Sequence, residues 1–586
     1  MLSVLIFLPA VAALLVLVLP SERWRFAAAA LLLGVLAPTA AALFASAAPQ
    51  TLFLPEIAEG LITAADIALL LYFLYQGVRF GSRPAMALAL LQLPLYVWAV
   101  AVSPTEGAAA VRVDELSRWM FLIINVVGGI IVLYAVEYMR YEKVGETKKR
   151  LFLAYLMLFL SVMNAIVIAD SVLLFFFLFE TTTLASYLLI AFRGDETSRR
   201  NALRALWMNQ IGGVFLLLGA LVAVYGFETV TFSGLLQQEG GLWLLALALL
   251  GMAAPVKGAS LPFDGWLIGA MVAPTPVSAI LHSATMVKIA PFLLLKLAPA
   301  LGATLPGTVL ALFGALVFAA AAYLALSRTL YKEILGYSTV ALLGLMMSLA
   351  AIGTAESMEL ALVLMVFHAL AKALLFLGAG ILEKRFGFKD IEQMKGLVHR
   401  APVSVGFILF GFFALTLPPF GLFMGKLFAI AAVAELLPTQ PWLTVVLLGI
   451  AVGSALLVLL YFKIAAALLA SPPDVVPGER ETMTPGFGIP MVLLSLLTVA
   501  AAAAYLAQQH NALLWLFAVP LLILVLLPLL TRLLGRFDRV MPYRCGEKSD
   551  FDAALFYADP SARTARLLHW GFGLLFLSVA LGGVLA

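Results

Sequence analysis

Charge is what this chain has least of. Only 12% of its 586 residues are Asp, Glu, Lys or Arg, about half the share found in soluble globular domains. That excludes a solvated globular surface over most of its length. The net charge of +4 is too small for a nucleic-acid surface and points to lipid headgroups on one side. Cysteine is nearly absent as well. Cys545 stands alone, so no disulfide can close within the chain, and no cysteine cluster can hold an iron–sulfur centre or structural zinc. The five histidines, His282, His368, His399, His510 and His569, include no pair with the spacing of a haem or zinc site. The chain is expected to carry no metal and no redox centre of its own.

What it has in quantity is hydrocarbon. Apolar residues make up 64%, and apolar runs of about 18 or more residues recur from one end to the other, each long enough to cross a bilayer. Their number, about 18, predicts an all-α polytopic membrane helix bundle. The first run, 2–20, lacks the basic start and small-residue cleavage site of a secretory signal and reads as a helix that stays in the protein. Basic residues follow odd-numbered runs. Arg140, Lys143, Lys148, Lys149 and Arg150 follow the fifth, Arg193, Arg199 and Arg200 the seventh, and Lys384, Arg385 and Lys389 the thirteenth. Segments 227–241 and 354–358, on the even side, contain no Lys or Arg. By the positive-inside rule, this predicts a multi-pass protein of the inner (cytoplasmic) membrane with its N-terminus outside the cytoplasm.

Two runs, 242–266 and 403–437, are interrupted by Pro and Gly. They contain "AAPVKGASLPFDGWL" and "LTLPPFGLFMGKLF", and Pro262, Pro418 and Pro419 mark the expected helix breaks. These are the ninth and fourteenth runs, an odd number apart, so they cross the membrane in opposite directions. Interrupted helices at corresponding places in two opposed halves signal inverted repeats, here of five helices, each with one broken helix. The organisation that follows has N-terminal helices over 1–113, including two spans at 61–79 and 84–102. An antiparallel-repeat core occupies 114–470, and C-terminal helices with a connecting segment occupy 471–586.

A charged side chain at mid-bilayer costs roughly 2.5–3.5 kcal/mol on insertion scales. Those present should face the bundle interior, pair, or meet water. Glu180 sits mid-run in "LLFFFLFETTTLASYLLIAF" with Thr183 and Tyr187 on the same helical face. Lys257 lies in the first broken run and Lys426 in the second. The tenth run, "APTPVSAILHSATMVKIAPF", carries Thr275, Ser278, His282, Thr285 and Lys288 at steps of three or four, a polar stripe on an apolar helix. "VFHALAKALLFLGAGIL" puts His368 and Lys372 one turn apart. Lys332, in "LYKEILGYSTV", stands at a run edge, where an interfacial anchor and a place on a path are equally good readings.

One carboxylate followed by basic groups across five runs is what a proton path needs. Burial disfavours the charged form of a lysine or a carboxylate, and an opposite charge nearby restores it. Moving one partner therefore switches the other. A helix break helps by freeing backbone groups and admitting water. The structural alternatives are a buried ion pair for Glu180 with Lys257, a satisfied core histidine for His282, and helix–helix contact for His368 with Lys372. Lys296 and Lys463, near run ends, read as snorkelling to the surface. Asp114 in "VRVDELSRWMF" reads as a helix N-cap. Asp66 has no role in this pattern.

These motifs resemble the antiporter-like proton-channel subunits shared by respiratory complex I, Mrp-type cation/proton antiporters and group 4 membrane-bound [NiFe] hydrogenases. "APTPVSAILHSATMV", "LGYSTVALLGLM", "FHALAKALLFLGAG" and "FGLFMGK" carry the resemblance, within 114–470. It implies that Glu180 and Lys257 form the coupling pair, that the central lysine is Lys288 or Lys372, and that Lys426 is the terminal one. The chain departs from the family in keeping only His368 ahead of "KALLFL", with Leu364 four residues earlier. It also has spans 61–79 and 84–102 beyond the usual two ahead of the "DELS" helix. "DIALLLYFLYQGVRF" is similar to the large membrane subunit of Ech-type energy-converting hydrogenases. About 37 residues separate the last two runs, which as helix would reach roughly 55 Å, short of the lateral helix of the distal complex I subunit. The "MPYRCGEKSDF" segment is expected to meet a cytoplasmic partner.

The implied function is that of a proton-translocating, or Na+/H+, membrane subunit of a multisubunit redox-driven ion pump. In such an oxidoreductase complex the [NiFe] and Fe-S or flavin centres reside in peripheral partner subunits. Its neighbours would be those subunits, other membrane subunits and lipid, with no nucleic acid. The alternative within the same fold is an Mrp-like cation/proton antiporter or the membrane subunit of an inorganic-carbon uptake system.

Overall fold

A computed structural model describes residues 1–46, 50–104, 110–469, 481–508, 566 and 568–577. The apolar runs fold as helices because, in hydrocarbon, backbone N–H and C=O groups must be satisfied within their own segment. Four helices lead: α1 Leu2–Val18, α2 Glu22–Ala45, α3 Glu56–Arg79 and α4 Arg83–Val102. The next four are α5 Glu115–Arg140, α6 Glu146–Ile166, α7 Val172–Arg193 and α8 Glu196–Phe227. The first broken span follows as α9 Gly241–Lys257 and α10 Asp264–Gly269. Then come α11 Thr275–Leu301, α12 Leu305–Ser327, α13 Tyr331–Ile352 and α14 Ala355–Phe386. The second broken span is α15 Pro402–Thr416 and α16 Gly421–Leu436. The described helices close with α17 Leu443–Leu469, α18 Pro485–Gln508 and α19 Leu568–Leu577.

Both breaks fall where the prolines put them. Pro262 lies in the gap between α9 and α10, and Pro418 and Pro419 lie between α15 and α16. A proline inside a helix removes a donor and clashes with the preceding turn. The expected run 512–530 and the "MPYRCGEKSDF" segment lie outside the described residues.

Short polar side chains cap several of the helix starts. The Asp114 carboxylate accepts from Ser117 N–H at 2.8 Å, and Asp195 and Thr354 serve α8 and α14 in the same way. The strands among the described residues are β1 Gln50–Phe53 and β2 Ala110–Val113, paired antiparallel with Gln50 opposite Val113. Burial locates the centre. The most apolar stretches of α11 and α13 are wholly buried, whereas those of α3 and α4 are 22% and 28% buried. α3 and α4 are therefore peripheral helices laid against the core, with most of their surface facing outward.

α11 corrects the expectation of a straight polar stripe. It is α-helical over Thr275–Ala279, a π turn over Ile280–Ala284, a 3-10 turn over Met286–Lys288, and α-helical again from Ile289. The Thr285 hydroxyl donates to the Ile280 carbonyl at 2.6 Å, and the Ser283 hydroxyl to the Ala279 carbonyl at 2.5 Å. Such bonds compete with the regular backbone ladder, and single π turns are frequent at functional positions.

Candidate functional site

Glu180 and Lys257 are both fully buried, and each holds a partner of its own. Lys257 ends α9, where unpaired carbonyls favour a cation. Its Nζ donates to the Phe179 carbonyl and to Thr183 Oγ1, both at 2.9 Å, and stands 3.9 Å from the centre of the Phe179 ring. Glu180 is held from α4 instead: Gln92 Nε2 donates to its Oε1 at 2.8 Å, while its Oε2 has no hydrogen-bond partner. The ammonium of Lys257 thus rests on the α7 residues either side of Glu180, and the carboxylate is drawn off towards α4. Gly213 on α8 makes room for this, since a Cβ there would run into Glu180 Oε1 and Gln92 Nε2.

Lys288, at the end of the 3-10 turn, meets His368 of α14, Nζ to Nδ1, at 2.6 Å. His368 Nε2 and both ring nitrogens of His282 have no partner, and the His282 ring lies 5.1 Å from that of Phe376. Lys372, one turn beyond His368, donates to Ser338 Oγ at 2.5 Å and to the Leu335 carbonyl at 2.9 Å. All four groups are completely buried. Lys372 and Lys332 are the charges that bear on His282. The structure therefore gathers Lys288, His368, Lys372 and His282 into one cluster between α11, α13 and α14.

Neither Lys257 nor Lys426 touches that cluster directly, but both helix breaks pack beside it. A Cβ on Gly258, next to Lys257, would lie 2.8 Å from Ala290 Cβ, two residues past Lys288. A Cβ on Gly421, at the start of α16, would strike the ring of Phe367, which precedes His368. Lys426, further along α16, is 4% exposed.

Lys332 resolves towards the edge. It pairs with Glu383 Oε2 at 2.8 Å, and Glu383 also accepts from Thr275 at 2.7 Å and lies 3.6 Å from Arg193. Glu142 joins this group through Arg193 and Lys384. Sequence reasoning missed Glu383, though it stands three helical turns from Lys372 on the same run. The snorkelling assigned to Lys296 and Lys463 is also corrected. Lys296 is 8% exposed, donates to the Ala169 carbonyl at 2.9 Å, and lies 3.9 Å from Asp170. Lys463 donates to the carbonyls of Leu326 and Arg328 at the end of α12. The carbonyls at the end of α12 hold the Lys463 ammonium, and the Ala169 carbonyl with Asp170 holds that of Lys296.

A polytopic helical bundle with two opposed broken spans and a buried file of lysines defines a class of multi-pass membrane proteins. Residues 169–465 match the family described as NADH:quinone oxidoreductase/Mrp antiporter, TM, and residues 98–146 match the N-terminus of complex I chain 5. The chain belongs to this NADH:quinone oxidoreductase/Mrp antiporter family. It is 32% identical over 403 residues to one component of the Na(+)/H(+) antiporter of Alkalihalophilus pseudofirmus, covering 61% of this chain and 49% of that protein. The chain spans half or less of the length of the relatives it matches. Its fold is similar to a chain of the membrane-bound sulfane sulfur reductase, an archaeal respiratory membrane complex, with a TM-score of 0.61 at 20% identity, covering 76% of this chain and 95% of that one.

Proposed function

We propose that the chain is the proton-translocating membrane subunit of a multisubunit redox-driven pump, with Na+ as a second ion it could exchange. The observation that carries this reading is the Lys288–His368 hydrogen bond, 2.6 Å long and fully buried, with a helix break packed on either side of it. Within one such bond, a charged Lys288 donates to a neutral imidazole. Passing its proton across leaves a neutral amine and an imidazolium, with no heavy-atom journey.

Lys257 supplies the switch. While its ammonium rests on the Phe179 carbonyl and Thr183, Glu180 is held by Gln92. Bringing the two together stabilises both charges, and separating them destabilises both. A signal from partner subunits that alters this separation would change the charge felt by Lys288. The proton then passes through His368 and Lys372 towards Lys426 and leaves at the second break. Lys332, His282 and Glu383 bias the central lysines electrostatically.

The chain has one cysteine, so its donor set does not fit a [NiFe] or iron–sulfur centre. We assign such centres, or a flavin, to peripheral partner subunits in the inner membrane complex, with the N-terminus outside. Lys257→Ala in inverted membrane vesicles should lower proton uptake by more than about tenfold, some 1.4 kcal/mol or more in coupling. The partners' redox activity with an artificial dye should persist. Wild-type uptake by that variant would refute the assignment.

A second reading is an Mrp-like antiporter, favoured by the likeness to a component of a Na(+)/H(+) antiporter. Nickel content and iron–sulfur absorbance in the complex purified through this chain favour the pump, and their absence favours the antiporter.

A further inference from the structure

α3 is a peripheral helix, yet it buries an acid. Asp66 stands near its middle, is 0% exposed, and neither of its carboxylate oxygens has a hydrogen-bond partner. The other buried side chains on that face are Leu69, Leu70 and Phe73, followed by Gln76. A leucine at position 66 would continue the apolar stripe. An unpaired carboxylate there carries a desolvation cost of several kcal/mol, so packing alone gives no reason for it.

Its surroundings give one. Tyr96 of α4 and Glu180 of α7 are the titratable groups that bear on Asp66, and Lys257 of α9 bears on Glu180 in turn. One turn from Tyr96, Gln92 bridges Glu180 Oε1 and the Gln210 carbonyl of α8, at 2.8 and 3.0 Å, and accepts from Gln210 Nε2 at 3.2 Å. Tyr96 stacks on Phe176, one turn before Glu180, with ring centres 5.6 Å apart. Three carboxylate oxygens at this junction, both of Asp66 and Oε2 of Glu180, make no hydrogen bond within 3.5 Å, and the Tyr96 hydroxyl is the donor that faces Asp66. Two carboxylates facing each other in a dry interior repel, which favours a proton on one of them.

α3 and α7 meet again further along. Two turns along α7, the Tyr187 hydroxyl donates to Gln76 Oε1 at 3.1 Å.

Resting on the proton-pump reading, we propose that Asp66 is a proton-carrying residue serving Glu180. A proton held on Asp66 is handed on near Gln92 to Glu180. The added helices α3 and α4 thereby supply a loading site upstream of the Glu180–Lys257 switch.

Dicyclohexylcarbodiimide, which attacks protonated carboxyls within the membrane, tests this on the wild-type complex by peptide mass spectrometry. Asp66 should be modified, and the modification should fall as pH rises and be indifferent to Na+. No adduct at any pH, or protection by Na+, overturns the proposal. Asp66→Asn should lower proton uptake by more than about tenfold with an unchanged melting temperature, and Asp66→Glu should restore most of it. Wild-type uptake by Asp66→Asn likewise overturns it. The labelling needs no ion flux, so wild-type vesicles that take up no protons would refute the pump reading while leaving the labelling result standing.

Discussion

Glu180 keeps its position because one residue across from it has no side chain. Replacing Gly213 by Ala puts a methyl group where Glu180 Oε1 and Gln92 Nε2 now meet. Overpacking of this kind costs about 1–3 kcal/mol. Gly213→Ala should therefore lower the melting temperature in detergent and also depress proton uptake, because the carboxylate must turn away from Gln92. A variant that melts earlier but transports normally would show that the Gln92 contact is only structural. Glu383→Ala is expected to act differently. It strips Lys332 of its carboxylate, and breaking a buried ion pair from one side costs about 3 kcal/mol. Arg193 keeps Glu142, so the loss should be confined to the α13–α14 end and be read as accelerated thermal inactivation.

These residues also show what was legible beforehand. Lys257, Lys372 and Lys426 stand out because an ammonium within an apolar run is costly enough to need a reason. Glu383 did not, because it sits beside Lys384 and Arg385 and looks like one more surface charge. Gln92 and Gln210 carry no charge, so hydropathy passes over them. The Lys288–His368 bond joins two runs far apart in the chain, and no spacing rule within a single helix reveals it.

At the scale of elements, the broken spans were readable and the distorted one was not. Proline combined with neighbouring Gly marks the breaks, since proline alone is carried inside helices, as Pro255 is in α9. α11 is bent by serine and threonine hydroxyls, and whether a hydroxyl bonds its own backbone depends on the neighbours that surround it. The consequence can be measured. Residues 280–288 lack a continuous ladder, and His282 and Ser278 within or beside them have unpartnered polar atoms. Hydrogen exchange should be roughly tenfold faster there than over Ile289–Leu301. Equal protection across both segments would mean that the turn is rigid and contributes no opening to the path. The helical fold and the order of the described spans followed from run length, since lipid leaves a run of that length little choice but a helix.

The whole molecule poses the question of whether its charges form one path or two. Each broken span carries a lysine, Lys257 in one and Lys426 in the other, so each could in principle serve a path of its own. The geometry favours a single route, because both breaks pack against sequence neighbours of the Lys288–His368 pair, Gly258 on Ala290 and Gly421 on Phe367. Groups acting in series are strongly non-additive when removed. If Lys257 and Lys372 lie on one route, Lys257→Ala and Lys372→Ala should each bring proton uptake near background. The double variant should then be no worse than either single one. Two independent half-channels would instead leave about half the flux in each single variant and lose the rest only in the double. Initial rates in vesicles at matched protein content separate the two, and a half-rate single variant would divide the bundle into two conductors.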